Sequence, residues 1–229
     1  MKVKGIAAQF LNPNTDTDII IPAKFLKRTS LDGFEQFAFF EKKYAAETVC
    51  EPTLEAKDFV YQNRVLNPEC TLNHANAKGA SILLTWMNFG CGSSREHAVY
   101  ALCEFDVIIG SAPAGKSAFA DIFRDNCRQN LIWTPVVSPE DHAKIVAYFE
   151  EHTEKGAITI ELSSDDQTLD INGAFKVSFD IPAMHKKYIM NGKNPFDMAK
   201  DQITNANDII DQWNKDNAKL IELSPSSAL

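Results

Sequence analysis

An α/β fold with a mixed sheet is what this sequence predicts, and three observations carry that reading. From Ala80 to the helix opened by Ser138, apolar strand-like runs alternate with helical patterns, the order that lays helices across the faces of a sheet. Past Gly156 the pattern changes to three short strand-like segments joined by turns, so the sheet is of mixed direction. The 229 residues are 45% hydrophobic and 24% charged, enough for one domain with a real core and some embellishment.

Taken in order, Val3–Phe10 reads as a strand and Leu11–Asp18 as a loop with Asn-Pro-Asn turn chemistry. Pro22 suits the first turn of a short helix running to Arg28. The aromatic stretch Phe34–Tyr44 is expected to be a second helix, and Ala45–Ala77 to be loops with one short strand. Ser81–Trp86 is a strand, Asn88–Ser94 a glycine-containing turn, Arg95 to about Glu104 a helix and Asp106–Ile109 the next strand. A helix over Ser117–Arg128 and an apolar segment Leu131–Val137 follow. Ser138, with Pro139 behind it and an acidic first turn, marks a helix start. Ala157–Leu162, Thr168–Ile171 and Phe175–Phe179 are the three late strands. Pro182–Met190 and Asn207–Lys215 are helical, and Ser224–Leu229 is a polar tail. There is no internal repeat.

Charge and cysteines narrow the chemistry. A net charge of −8 argues against a nucleic-acid partner, whose phosphates are bound by Lys and Arg. An acidic small substrate needs only a few local cations and stays open. The N-terminus has no apolar stretch suited to a signal peptide, and no run approaches the roughly 18 apolar residues of a membrane span, so a cytoplasmic protein is expected. The five cysteines (Cys50, Cys70, Cys91, Cys103 and Cys127) are odd in number, form no CxxC pair and match no common zinc or iron–sulfur spacing. They read as buried or half-buried thiols acting as small apolar residues, and no cofactor or metal is expected on this chain alone.

Two glycine-rich loops compete for the function. Asn88-Phe89-Gly90-Cys91-Gly92-Ser93-Ser94-Arg95-Glu96-His97 lies between a strand and a helix, where unpaired backbone N–H groups favour anions. Two hydroxyls, a guanidinium fork and free amides within a few residues suit a dicarboxylate. The same Ser93-Ser94-Arg95-Glu96 run also fits a capping box, which needs no chemistry at all. A dinucleotide site is excluded, because Arg95 stands where a third glycine is required.

The second loop, Gly110-Ser111-Ala112-Pro113-Ala114-Gly115-Lys116-Ser117, matches the phosphate-binding pattern G-x-x-x-x-G-K-[ST] at every required position. Against a nucleotide site stand the lack of a later apolar strand ending in Asp to help hold magnesium and the scarcity of βα units. A nucleotide-binding protein therefore remains the rival reading.

Asn88–His97 resembles the signature of aconitase-superfamily swivelling domains, and in particular of the 3-isopropylmalate dehydratase small-subunit family. Asp16-Thr17-Asp18-Ile19-Ile20-Ile21-Pro22-Ala23-Lys24-Phe25-Leu26-Lys27-Arg28, Gly79–Leu84 and Phe119–Asn126 resemble that family's other motifs in the same order. The likeness spans about residues 1–200 and implies a single swivelling β/β/α domain there, with 201–229 forming a C-terminal helix and tail. It further implies a hydro-lyase that removes water from a 2-hydroxy dicarboxylate and adds it back on the adjacent carbon. The [4Fe–4S] cluster is expected on a partner large subunit, without which the chain is inactive. By position, the resemblance makes Ser93 the catalytic base and gives Ser94 and Arg95 to the substrate carboxylate, with Arg28 and Asp18 as further substrate-binding candidates. Homoaconitate or a methyl-substituted malate would use the same chemistry. The Ala112–Lys116 stretch looks like an insertion relative to the family.

Overall fold

Strand β1 (Lys2–Phe10) pairs on both sides, and those two pairings set the character of the sheet. On one side lies β4 (Ala80–Thr85), parallel, with Ala7 opposite Ile82; on the other lies β7 (Thr159–Ser163), antiparallel, with Gly5 opposite Ile160. β5 (Val107–Ile109) continues the parallel half beyond β4. β8 (Thr168–Ile171), β9 (Phe175–Asp180) and β6 (Val136–Val137) continue the antiparallel half, giving the order β5-β4-β1-β7-β8-β9-β6. The computed structural model describes residues 1–27, 33–51, 60–62, 64–192, 206, 209–213 and 215.

The sheet then closes on itself. The amides of Ile108 and Gly110 donate to the carbonyls of Trp133 and Pro135 at 2.8 and 3.0 Å, and Val137 donates back to Gly110 at 3.0 Å. The segment that carries β6 thereby runs beside the continuation of β5 while pairing with β9 on its other side. Alternation along each strand fills the barrel with Ala7, Ile82, Leu84, Val107, Ile160 and Leu169, among others.

The two halves differ on their outer faces. In the parallel half Phe10, Leu83 and Ile108 are buried outwards as well, under a second core formed with α3 (His97–Ala101), α4 (Asp121–Gln129) and the Phe34–Tyr44 segment. Ile82, Leu83 and Leu84 are fully buried, worth roughly 1.5–3 kcal/mol each. In β9, exposed Lys176, Ser178 and Asp180 alternate with buried Val177 and Phe179, the pattern of a sheet wet on one face. α5 (Pro139–His152) begins as predicted, with Ser138 Oγ accepting from the Asp141 amide at 3.0 Å. α6 (Ala183–Met190) carries the buried His185 against Thr134.

Several expectations are corrected. The Leu11–Asp18 loop leads into one helical turn, α1 (Thr17–Ile20), because the Asp16 carboxylate accepts the Ile19 amide at 2.8 Å. The single helix expected over Phe34–Tyr44 is instead a 3-10 turn, Phe34–Phe37, and α2 (Phe40–Lys43). Phe39 breaks it at φ 55°, packing on Phe10 with ring centroids 4.5 Å apart and donating its amide to Ile20. Tertiary packing overrides helix propensity there. Pro22–Arg28 tightens to a 3-10 turn at Ala23–Lys27, and Ala45–Ala77 holds two strands, β2 (Val49–Glu51) and β3 (Val60–Gln62), where one was expected. Arg28 and the tail at 224–229 lie outside the described residues; the described positions between 206 and 215 are helical.

Candidate active site

Parallel strands β1 and β4 end at the same level, so the loops that leave their carboxyl ends run together. That is where ligands bind in parallel α/β sheets. The loop after β4 is clamped on both sides. Gly90 donates to Thr15 at 2.8 Å and Cys91 accepts from Thr17 at 2.9 Å, while Asn88 and Phe89 donate to Ser117 and Ala118 at 2.9 and 3.0 Å. The Ala120 amide returns a bond to Phe89 at 3.0 Å. Backbone from three loops thus fixes a turn that no regular element contains.

Glycine is required at two points of this turn. Gly90 has φ 76°, and a Cβ there would lie 2.1 Å from Phe123 Cγ. Gly92, at φ 87°, brings the chain against Asp16, whose Cβ would be 3.2 Å from an added methyl. The turn therefore delivers Ser93, Ser94 and Arg95 to a depression of about 290 Å³, walled on its far side by α4.

Ser93 and Ser94 are exposed there. The Ser93 carbonyl accepts from Thr17 Oγ1 at 3.0 Å and from the Arg95 amide at 2.8 Å, which pins the main chain and leaves Oγ available. Among the described residues no helix amide donates to Ser93 Oγ, and α3 starts after Glu96 with no side-chain cap. Glu96 is turned away toward Asn130, 3.3 Å off, and Tyr100. The capping box is therefore not formed, and capping does not account for Ser93.

Arg95 Nη1 donates to Asp18 Oδ1, an ion pair that joins the loop after β4 to α1. Asp16, the other acid of the motif, caps α1. Of the residues singled out in the sequence, Ser93, Ser94, Arg95 and Asp18 are brought together, and Arg28 lies outside the described residues. Sequence reasoning missed Thr17, which positions Ser93, and the α4 wall with Ile122 and Asn126. Their spacing of four residues was the available signal, since it places them on one helix face.

Burial, and secondly Asp16, push the Cys91 thiol up, so this neighbour of the serines is no thiolate nucleophile. Among the described residues no group of three or more His, Cys, Asp or Glu is placed to hold a metal ion, and Cys91 stands without a second thiol at the site. The described residues therefore do not fit an iron–sulfur cluster by themselves.

The second glycine-rich loop does not form a phosphate cradle. Ser111 is buried and donates to the Val137 carbonyl at 2.8 Å, and Gly110 lies in the barrel seam. Lys116, which closes a turn by donating its amide to Pro113 at 3.0 Å, and Ser117 are exposed, and the next helix begins only at Asp121, so no helix N-terminus stands behind them.

Residues 1–136 match the aconitase C-terminal domain family. The chain belongs to that family, and the match covers the whole parallel half of the barrel with the serine turn. Within it the similar proteins are 3-isopropylmalate dehydratase small subunits. That of Rhodopirellula baltica is 36% identical over 192 residues, covering 82% of this chain and 85% of the relative. That of Teredinibacter turnerae is 39% identical over 188 residues, covering 82% and 80%. The crystal structure of 3-isopropylmalate dehydratase from Methanocaldococcus jannaschii aligns with a TM-score of 0.61 at 19% identity, over 91% of this chain and 99% of that one, which shows the shared fold.

Proposed function

We propose that this chain is the small subunit of a hydro-lyase that isomerises 2-isopropylmalate to 3-isopropylmalate in leucine biosynthesis, and that it is active only with a large subunit. The observation that carries this reading is that Ser93, whose Oγ the helix behind it leaves unused, lines one depression with Arg95, whose guanidinium Asp18 holds in place. The relatives' shared name favours isopropylmalate over homoaconitate or a methyl-substituted malate.

In this reading Ser93 Oγ, ionised to the alkoxide, takes the proton from the substrate carbon next to a carboxylate. The electron pair left behind forms the double bond as the hydroxyl on the neighbouring carbon leaves as hydroxide. The unsaturated dicarboxylate then takes water back with the two positions exchanged. A [4Fe–4S] cluster, which this reading assigns to the large subunit, would supply Lewis-acid help to the departing hydroxyl. Arg95 offers a planar two-point contact to a substrate carboxylate, and Ser94 adds a hydroxyl donor. Asp18 serves the substrate through Arg95, since a carboxylate is repelled by a carboxylate. Arg28 is assigned a second carboxylate. Residues 1–200 act as one swivelling domain followed by a C-terminal helix and tail.

No helix among the described residues is long and apolar enough to cross a membrane. Cys70, Cys91, Cys103 and Cys127 are free thiols, which supports a reducing, cytoplasmic setting. Co-expression with a large subunit, anaerobic cluster reconstitution and a screen of 2-hydroxy dicarboxylates tests the proposal. Turnover of 2-isopropylmalate ahead of the others is expected; an assembled, cluster-loaded enzyme that ignores it would sink the reading.

A further inference from the structure

Across the depression from the serines, α4 presents Ile122, and this side chain is 52% exposed. Its orientation is not free. One residue on, Phe123 is buried with its ring over Gly90 and edge-on to Phe89 at a centroid distance of 5.4 Å. Four residues beyond that, Cys127 is fully buried on the same face. Those two residues fix the rotation of the helix. Ile122 and Asn126, one turn apart, must then face the depression rather than the core.

Phe123 also lines the depression but is buried under the turn. The remaining lining is mostly polar side chains and glycines, among which an exposed large aliphatic side chain does nothing for a carboxylate. It gains only by covering an apolar group of the ligand. Resting on the dehydratase reading above, we propose that Ile122 is a specificity residue for that reaction, forming the wall against which the branched alkyl substituent of the substituted malate packs. The two banks divide the substrate between them: Ser93, Ser94 and Arg95 take the hydroxy-dicarboxylate skeleton, and Ile122 takes its side chain.

The test uses the assembled enzyme with its large subunit. It measures kcat/KM for 2-isopropylmalate and the inhibition constant of 2-methylmalate as a competitor. The exposed position makes Ile122→Ala foldable, and Ile122→Val supplies a graded second variant. Ile122→Ala is expected to lower kcat/KM for the isopropyl substrate by about 10-fold or more. The methyl competitor should change by less than about 3-fold, and Ile122→Val should fall between. Equal losses for both ligands would mean that Ile122 contacts the partner subunit instead, and would overturn the inference, as would no loss for either. A wild-type assembly that processes no 2-isopropylmalate would overturn the dehydratase reading, and this inference with it.

Discussion

Arg95 and Asp18 are separated by 77 residues and meet as an ion pair between the ends of two parallel strands. Each is part-exposed, so the pair adds little to stability. Its effect is to aim the guanidinium. Arg95→Lys is expected to raise KM for the substrate by about 10-fold or more in the assembled enzyme, because an ammonium cannot make the planar two-point contact. Asp18→Asn should raise KM by a smaller factor with unfolding unchanged. If Asp18→Asn raises KM in an Arg95→Lys background by as much as in wild type, the two do not act together.

Ser93→Ala should lower kcat by about 100-fold or more with little change in KM, since proton transfer belongs to the transition state. Because Ser93 caps nothing, its melting temperature should stay where it is. Ser93→Asp should be equally stable and inactive. A stable, fully active Ser93→Asp enzyme defeats the assignment.

Gly90→Ala should be severe for two separate reasons, the left-handed φ of 76° and the overlap with the Phe123 ring. A loss of several kcal/mol is expected, of which backbone strain is about 1–3 kcal/mol. Gly115→Ala provides the comparison, with φ 77° and no heavy atom within 4 Å of the added methyl. Urea unfolding of the two variants should separate by the steric term. Equal midpoints would show that α4 gives way.

Stability should depend on His185. Burial pushes its imidazole from 6.5 to about 4, and it is held neutral between Thr134 and the Ile132 carbonyl. The unfolded chain takes up this proton as pH falls through about 6.5, the folded chain only near 4, so the unfolded state binds more protons in that window. Stability should therefore be full above about 6.5 and fall by roughly 3 kcal/mol as pH drops to about 4. His142, lowered by burial as well, acts in the same direction. His185→Gln should be less stable at neutral pH and show a flatter pH profile. An unchanged slope removes His185 as the cause.

Lys116→Ala should leave turnover of the assembled enzyme unaltered, and calorimetry should detect no binding of ATP or GTP. Micromolar nucleotide affinity lost on this substitution would restore the rival function.

The strands were legible because burial repeats along them. Thr168–Ile171 came out residue for residue, and Ser138 was readable as a cap from its oxygen and the proline behind it. The break at Phe39 was not. A run of phenylalanines carries no mark of which ring will turn the backbone left-handed, and the answer comes from Phe10 and Phe89 far away in the chain. The Ser93–Glu96 run misled for a similar reason. Its spacing permits a capping box, but Asn130 engages the Glu96 carboxylate and Thr17 holds the Ser93 carbonyl, and neither partner is local. The glycine pattern at Gly110–Ser117 failed because one of its residues was already committed to the barrel seam.

That seam bears on how a second subunit can attach. Among the described residues the β5 and β6 ends of the seven-stranded sheet are bridged to each other, so that seam offers no free row of N–H and C=O groups for an incoming strand to zip onto. Strand addition is thus blocked at that seam, and so is its commonest misfire there, edge-to-edge stacking of like chains. At the ends of β1 and β4 the barrel offers side chains and loops to a partner, and among them the turn carrying Ser93 and Ser94 stands exposed. Docking and catalysis would then share one surface, so that the act of assembly is also the act that shuts water away from the reacting carbon.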